Sequence, residues 1–290
     1  MHVVYQILFD SLLTASLYAI GAVGFSLLWG VLNVLNVSYG AFIMLGGYLA
    51  WYLSTLGIGP LTALPIILVG MFALGWLVQS LIVGWVVAGP HSLGIVLTYG
   101  LNLILVGAAY YLFSSEYRSV SVPSYLKGSV DLGGATLTIT RVAALVVAMV
   151  LTGVAWWFMD RTETGTAIRA TRQDPEAARL VGINVRAIFS LTSAIAAALA
   201  GAMGALIAMV YSVSPMVGDH YLLQLIIVTV SGGLGSVFGS VIGALLVGVT
   251  TSAASTFLGA SYGIVAGVVL VMIILLVRPQ GLFGRAGYEG

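Results

Sequence analysis

"AIFSLTSAIAAALAGAMGALIAMVYSV", residues 187–213, contains no charged side chain, and its polar atoms are hydroxyls of serine, threonine and tyrosine. About 20 apolar residues in helical form cross the hydrocarbon core of a bilayer, so this stretch is long enough to do so. Its alanines and glycines let neighbouring backbones come close, as packed membrane helices require. The residues just before it are the opposite. Residues 160–186 hold Asp160, Arg161, Glu163, Arg169, Arg172, Asp174, Glu176, Arg179 and Arg186, close to half of a charge complement of 10 Lys and Arg with 9 Asp and Glu.

Outward from this junction the same contrast governs the chain. Residues 1–115 carry one charged side chain, Asp10, and residues 187–277 carry one, Asp219. Hydrophobic residues make up 60% and charged residues 7%, with mean hydropathy +1.13, whereas soluble domains carry about 25% charge. The expectation is an all-α, polytopic transmembrane bundle. Zero cysteines exclude disulfides and thiolate chemistry, and a net charge of +1 gives no nucleic-acid signature. The N-terminus lacks the pattern of a cleaved secretory signal and reads as a retained first helix.

Apolar runs at residues 3–30, 38–57, 61–88, 92–113, 141–159, 187–213, 234–258 and 261–277 give eight expected spans. Residues 221–231 are apolar but short, a re-entrant element or a ninth span. The whole of residues 1–290 reads as one permease-like membrane domain. Arginine marks cytoplasmic loops, so the loop at 160–186 and the tail at 278–290, with Arg278 and Arg285, are both expected inside the cell. They can share a side only if an even number of crossings separates them. One span from the arginine-rich loop, residues 114–141 then lie outside. There "SVDLGGATLTIT" alternates around a Gly-Gly turn, as a small β-hairpin does.

The polar loop carries helix punctuation. Asp174 before Pro175 reads as an N-cap with proline at the first helical position. Glu176 and Arg179 are placed favourably against the helix dipole, and Gly182 and Asn184 read as a stop. Such a short helix is unstable alone, and Ala177, Ala178, Leu180 and Val181 offer an apolar side. On residues alone, a topology anchor and a docking helix both remain open.

"GTAIRATRQDPEAARLVGINVRAI" resembles the cytoplasmic loop of permease subunits in ABC importers of the branched-chain amino acid type. "LYAIGAVGFSLLWGVLNVLNVSYGAFIMLGGYLA", "AAALAGAMGAL", "VSGGLGSVFGSVIGALLVG" and "VRPQGLFG" resemble further segments of that family in the same order. The resemblance implies a permease in the bacterial inner membrane with two ABC ATPase subunits, a second identical or homologous permease and an extracytoplasmic substrate-binding protein. The loop would seat on the ATPase through Arg169, Arg172, Asp174, Pro175, Glu176, Ala177 and Arg179. This sequence departs from the family at Tyr39, where histidine is common, and at "GWVVAGPHSLG", where an arginine-rich turn is usual.

The chain itself has no phosphate-binding loop, since its one lysine, Lys127, lies in the outer loop. No cofactor is expected in it, and ATP would be bound by its partners. His2, His91 and His220 have no metal-ligand spacing, and no catalytic constellation is credible among so few carboxylates. It is not expected to be an enzyme.

Transporters bind polar substrates at interrupted helices. Asn33, Asn36, Ser38 and Tyr39 interrupt one apolar stretch, as a plain loop or as a pathway lining, and the resemblance favours the lining. Ser231, Gly232, Gly233 and Ser236 form the second candidate, while Gly239 and Gly243 fit close helix packing. Asn102 is a third polar residue inside an apolar run, either bonding a neighbouring helix or touching the path. The two interrupted elements, one in each half, are compatible with a loose internal repeat. So little charge along the path suits a zwitterionic amino acid with an apolar side chain, a small amide or urea. The competing classes are an ion-coupled secondary transporter, for which Asp10 and Asp219 are the available carboxylates, and a passive channel.

Overall fold

The computed structural model describes residues 2–85, 91–132 and 135–284. Eleven α-helices are described: α1 His2–Leu32, α2 Tyr39–Thr55, α3 Pro60–Leu81, α4 His91–Phe113, α5 Ile139–Arg161, α6 Glu163–Gln173, α7 Pro175–Leu180, α8 Val185–Val210, α9 Val217–Gly232, α10 Val237–Leu258 and α11 Ala260–Val277. Seven of them are long and apolar enough to cross a membrane. The expected eighth span, at residues 38–57, is α2, whose 17 residues sit at the lower edge of spanning length. The short run at 221–231 is α9, extended to 16 residues.

The expected hairpin is present before α5. Strand β1 (Ser129–Leu132) pairs antiparallel with β2 (Ala135–Thr138), Ser129 opposite Thr138. Its Gly-Gly turn at 133–134 lies outside the described residues. So do residues 86–90 of the uncharged turn and residues 285–290 of the tail, Arg285 included.

Two buried helices, α1 and α8, form the axis of the bundle, with α2 packed against α8. The architecture is duplicated. Each half has a long buried helix, a short irregular break, a short buried helix and then two more apolar helices. The halves exchange partners, since α1 packs on α10 and α8 packs on α3. The two short helices begin side by side. A Cβ on Gly40 would strike the Gly218 carbonyl, and one on Gly218 would strike the Gly40 carbonyl. Along α2, Gly46 lies on the Gly201 backbone, and Gly204 lies against the Ile43 carbonyl. Small residues therefore set the α2–α8 separation, which is how membrane helices gain contact without a hydrophobic driving force between them.

The two ends of the bundle differ. At one, backbone bonds between Arg118 and Val213 (2.8 and 2.7 Å) tie the 114–138 segment to the break after α8. The Arg118 guanidinium also covers the Trp51 ring at 4.9 Å. At the other end lie α6 and α7 together with the start of the tail, whose Leu282 and Phe283 amides donate to the Ser231 and Gly232 carbonyls at 3.0 Å. The polar loop and the described tail thus share an end, as the arginines required. Helices α8, α9, α10 and α11 alternate between the ends, and α9 makes its return through the break at 211–216.

Gly204→Val should destabilise the fold by about 1–3 kcal/mol or more, because neither backbone can yield. Gly153→Ala, where the added Cβ would meet nothing within 4 Å beyond its own stretch of helix backbone, should leave the melting temperature unchanged or raise it. Thermal unfolding of the purified variants measures both.

Candidate functional site: the polar loop and the helix breaks

The turn from α5 into α6 is built by Thr162 and Gly165. The Thr162 hydroxyl accepts from the Gly165 amide at 3.0 Å, and a side chain on Gly165 would strike the Phe158 and Met159 carbonyls. Helix α6 then lies back on the bundle through Ile168 and Thr171, which are buried. The loop thus holds two helices where one was expected. The signal for α6 is the three-residue spacing of Gly165, Ile168 and Thr171 after a threonine cap.

Asp174 caps α7 as its sequence implies, accepting from the Glu176 amide at 2.8 Å and the Ala177 amide at 3.0 Å. Pro175 takes the first helical position. Gly182, at φ 87°, ends the turn, but Asn184 belongs to the next helix. Its side chain caps α8 by accepting from the Ala187 amide at 3.2 Å.

The charged side chains of the loop face two ways. Arg169 donates to the Met159 carbonyl and Arg172 to the Gly235 carbonyl. Both guanidiniums therefore bond the chain's own backbone, Arg169 at the last turn of α5 and Arg172 at the turn between α9 and α10. Glu176, Ala177 and Arg179 are exposed, and so are Leu180 and Val181, at 89% and 76%. Ala178 is buried and holds α7 to the bundle. The tip of the loop is thus an apolar knob flanked by one acid and one base.

Arg172 also brings together two segments that are far apart in sequence. Its guanidinium lies against Gly30 near the end of α1 and against Gly235. A cavity of about 140 Å³ beside it is lined by Ser26, Trp156, Ile168 and Val237 among others. The stretches at 29–42 and 229–243, read separately in the sequence, meet here.

The break at 33–38 is satisfied from within the protein. Ser38 donates to the Asn36 side chain at 2.6 Å, and the Val37 amide donates to the Thr98 hydroxyl of α4 at 3.2 Å. Tyr39 donates to the Gly21 carbonyl at 2.8 Å. Asn36, Ser38 and Tyr39 are buried, while Asn33 is exposed with φ 51°.

Residues 231–236 serve a different purpose. They form the turn at the loop end, with Ser231 and Gly232 accepting from the tail. Gly233 and Gly235 take φ 104° and 76°, and the Ser236 hydroxyl caps α10 by accepting from the Gly239 amide at 3.0 Å. The structural counterpart of the 33–38 break is residues 211–216, which sequence reasoning missed. Pro215, flanked by Ser212 and Ser214 and followed by Gly218, was its signal. Asn102 donates to Asp219 at 3.2 Å, joining α4 to the first turn of α9. Among the described residues, no group of three or more His, Cys, Asp or Glu is placed to hold a metal ion.

The family model described as branched-chain amino acid transport system, permease component, matches residues 7–277. The high-affinity branched-chain amino acid transport system permease protein BraD of Pseudomonas aeruginosa is 28% identical over 98% of this chain and 97% of its own length. The corresponding LivH of Escherichia coli is 26% identical over 98% of this chain and 96% of its own. Among solved structures, PsaBC from Streptococcus pneumoniae in complex with Fab aligns with a TM-score of 0.52 over 96% of this chain and 94% of that one, and at 15% identity the likeness is one of fold.

Arg172→Gln should free the α9–α10 turn from α6, since a charged donor to a part-buried carbonyl is worth about 1.5–3 kcal/mol. Amide hydrogen exchange at residues 233–238 should then quicken by about tenfold or more, while exchange in α2 stays unchanged.

Proposed function

This chain belongs to the branched-chain amino acid transport system permease family, and on that premise we propose that it is the membrane-spanning subunit of an importer driven by separate ATP-hydrolysing subunits. The family consists of transport permeases, and the chain is a multi-pass membrane protein. In the proposed assembly two ATPase subunits bind the ATP, a second permease, identical or homologous, completes the pathway, and an extracytoplasmic binding protein delivers solute. The arginine-rich loop and the tail face the cytoplasm of a bacterial inner membrane.

One observation carries this reading. Leu180 and Val181 are exposed at the tip of α7, with Glu176 and Arg179 beside them, and an exposed apolar knob with charged edges marks a protein-binding surface. Behind the knob, Arg172 bonds the turn between α9 and α10 and touches the end of α1. A partner that closes on α7 therefore pulls on helices that lead into both breaks. Arg169 and Arg172 act as internal links in this mechanism, Asp174 and Pro175 set the helix, and Glu176, Ala177 and Arg179 meet the ATPase.

The substrate class is a branched-chain or other hydrophobic amino acid, or a similar small zwitterionic or neutral solute. Asn36, Ser38 and Tyr39 give the first helix break hydroxyl and amide groups, and Asn102 bonds Asp219 at the second, surroundings that suit a solute of no net charge.

Leu180→Asp, and separately Glu176→Ala with Arg179→Ala, should weaken ATPase association by about tenfold, the loss of about 1.4 kcal/mol at an interface. Solute-stimulated ATP hydrolysis in proteoliposomes should fall in parallel. Full coupling in both variants contradicts the assignment.

A further inference from the structure

At the end opposite the arginine-rich loop, α1, α9, α10 and α11 part around a cavity of about 340 Å³. That is within the range of small-molecule sites, about 300–1,000 Å³. In a chain with 7% charged residues, its lining is polar. Asp10 and Arg141 form an ion pair there at 3.0 Å. Tyr211 stands beside them. It lines the same cavity.

Deeper on α9, Gln224 also lines the cavity, 2% exposed, and its Oε1 has no hydrogen-bond partner. A buried amide oxygen without a donor is costly, and a turn of the Gln224 side chain into the cavity would let a solute N–H remove that cost. Leu17 and Ile264 supply apolar wall.

The ion pair favours one kind of solute. A single cation or anion satisfies one member of the pair and leaves the other to water, since both side chains are about a third exposed (35% and 37%). A neutral amide leaves the pair closed. A zwitterion offers a partner to each, so the pair opens without an uncompensated charge.

We propose that this cavity is an entry site for a free α-amino acid, in which Arg141 receives the carboxylate and Asp10 and Gln224 provide acceptors for the ammonium at the mouth and the floor. The assignment deepens the importer reading and rests on it.

The full chain, purified in lipid nanodiscs, is melted with millimolar L-leucine, 4-methylpentanoate, 3-methylbutylamine or urea. L-Leucine should raise the melting midpoint through mass action, and the three probes lacking one or both charged groups should not. Asp10→Asn and Gln224→Leu, each checked for a monodisperse profile, should lose about tenfold or more in apparent leucine affinity. No stabilisation by leucine, equal stabilisation by a single-charge probe, stabilisation by urea alone, or an unchanged response in both variants each overturns the site. Uptake by the assembled transporter separates the two readings. Amino-acid import with an unchanged KM in Gln224→Leu removes this site and leaves the importer standing. The importer reading fails if no amino acid or amide is taken up in an ATP-dependent way.

Discussion

A bilayer offers a backbone amide no hydrogen-bond partner, so a chain that leaves helical form inside one must find its partners within the protein. Two breaks at which this chain leaves helical form lie between α1 and α2 and between α8 and α9. Thr98, Asn36 and Ser38 bond around the first, and the 114–138 segment pairs with the second at Val213. The short helices that follow can then start next to each other, Gly40 against Gly218. The buried α1 and α8 and the small residues of α2 bring the starts of these two short helices together.

The same constraint gives the polar loop its shape. Helix ends leave carbonyls unpaired, and here Arg169 bonds such a carbonyl at Met159, while Arg172 bonds the Gly235 carbonyl in the turn before α10. An arginine used this way is a mechanical link as well as a charge, because its planar fork holds direction. The loop is consequently attached to the bundle at two places, and α7 extends from that attachment with Leu180 and Val181 uncovered. Charge crowds into residues 160–186 for two separable reasons, contact with water and stitching of helix ends.

Legibility differed along the chain according to how local the cause was. The Asp174–Pro175 cap, the Gly182 stop and the hairpin strands follow from neighbouring residues, and all were readable. Asn184 fits a helix stop by its place two residues past a glycine and instead caps α8, because an asparagine there suits either role until the next helix is known. Residues 231–236 looked like an interruption because glycines gather there. Their carbonyls accept from a tail some fifty residues on, which no local pattern reveals. The break at 211–216 was hidden for the opposite reason, as its serines and proline follow an apolar run without charge.

The sequence by itself determined membrane residence, the helical class, the position of the polar loop and the family, because hydropathy, charge spacing and caps act over a few residues. Tertiary structure alone decided that the halves exchange partners, that Arg172 joins the loop to Gly30 and Gly235, and that Asp10, Arg141 and Gln224 line one cavity. Those pairings link residues more than sixty positions apart, so packing and polar contacts that exist only in three dimensions choose them.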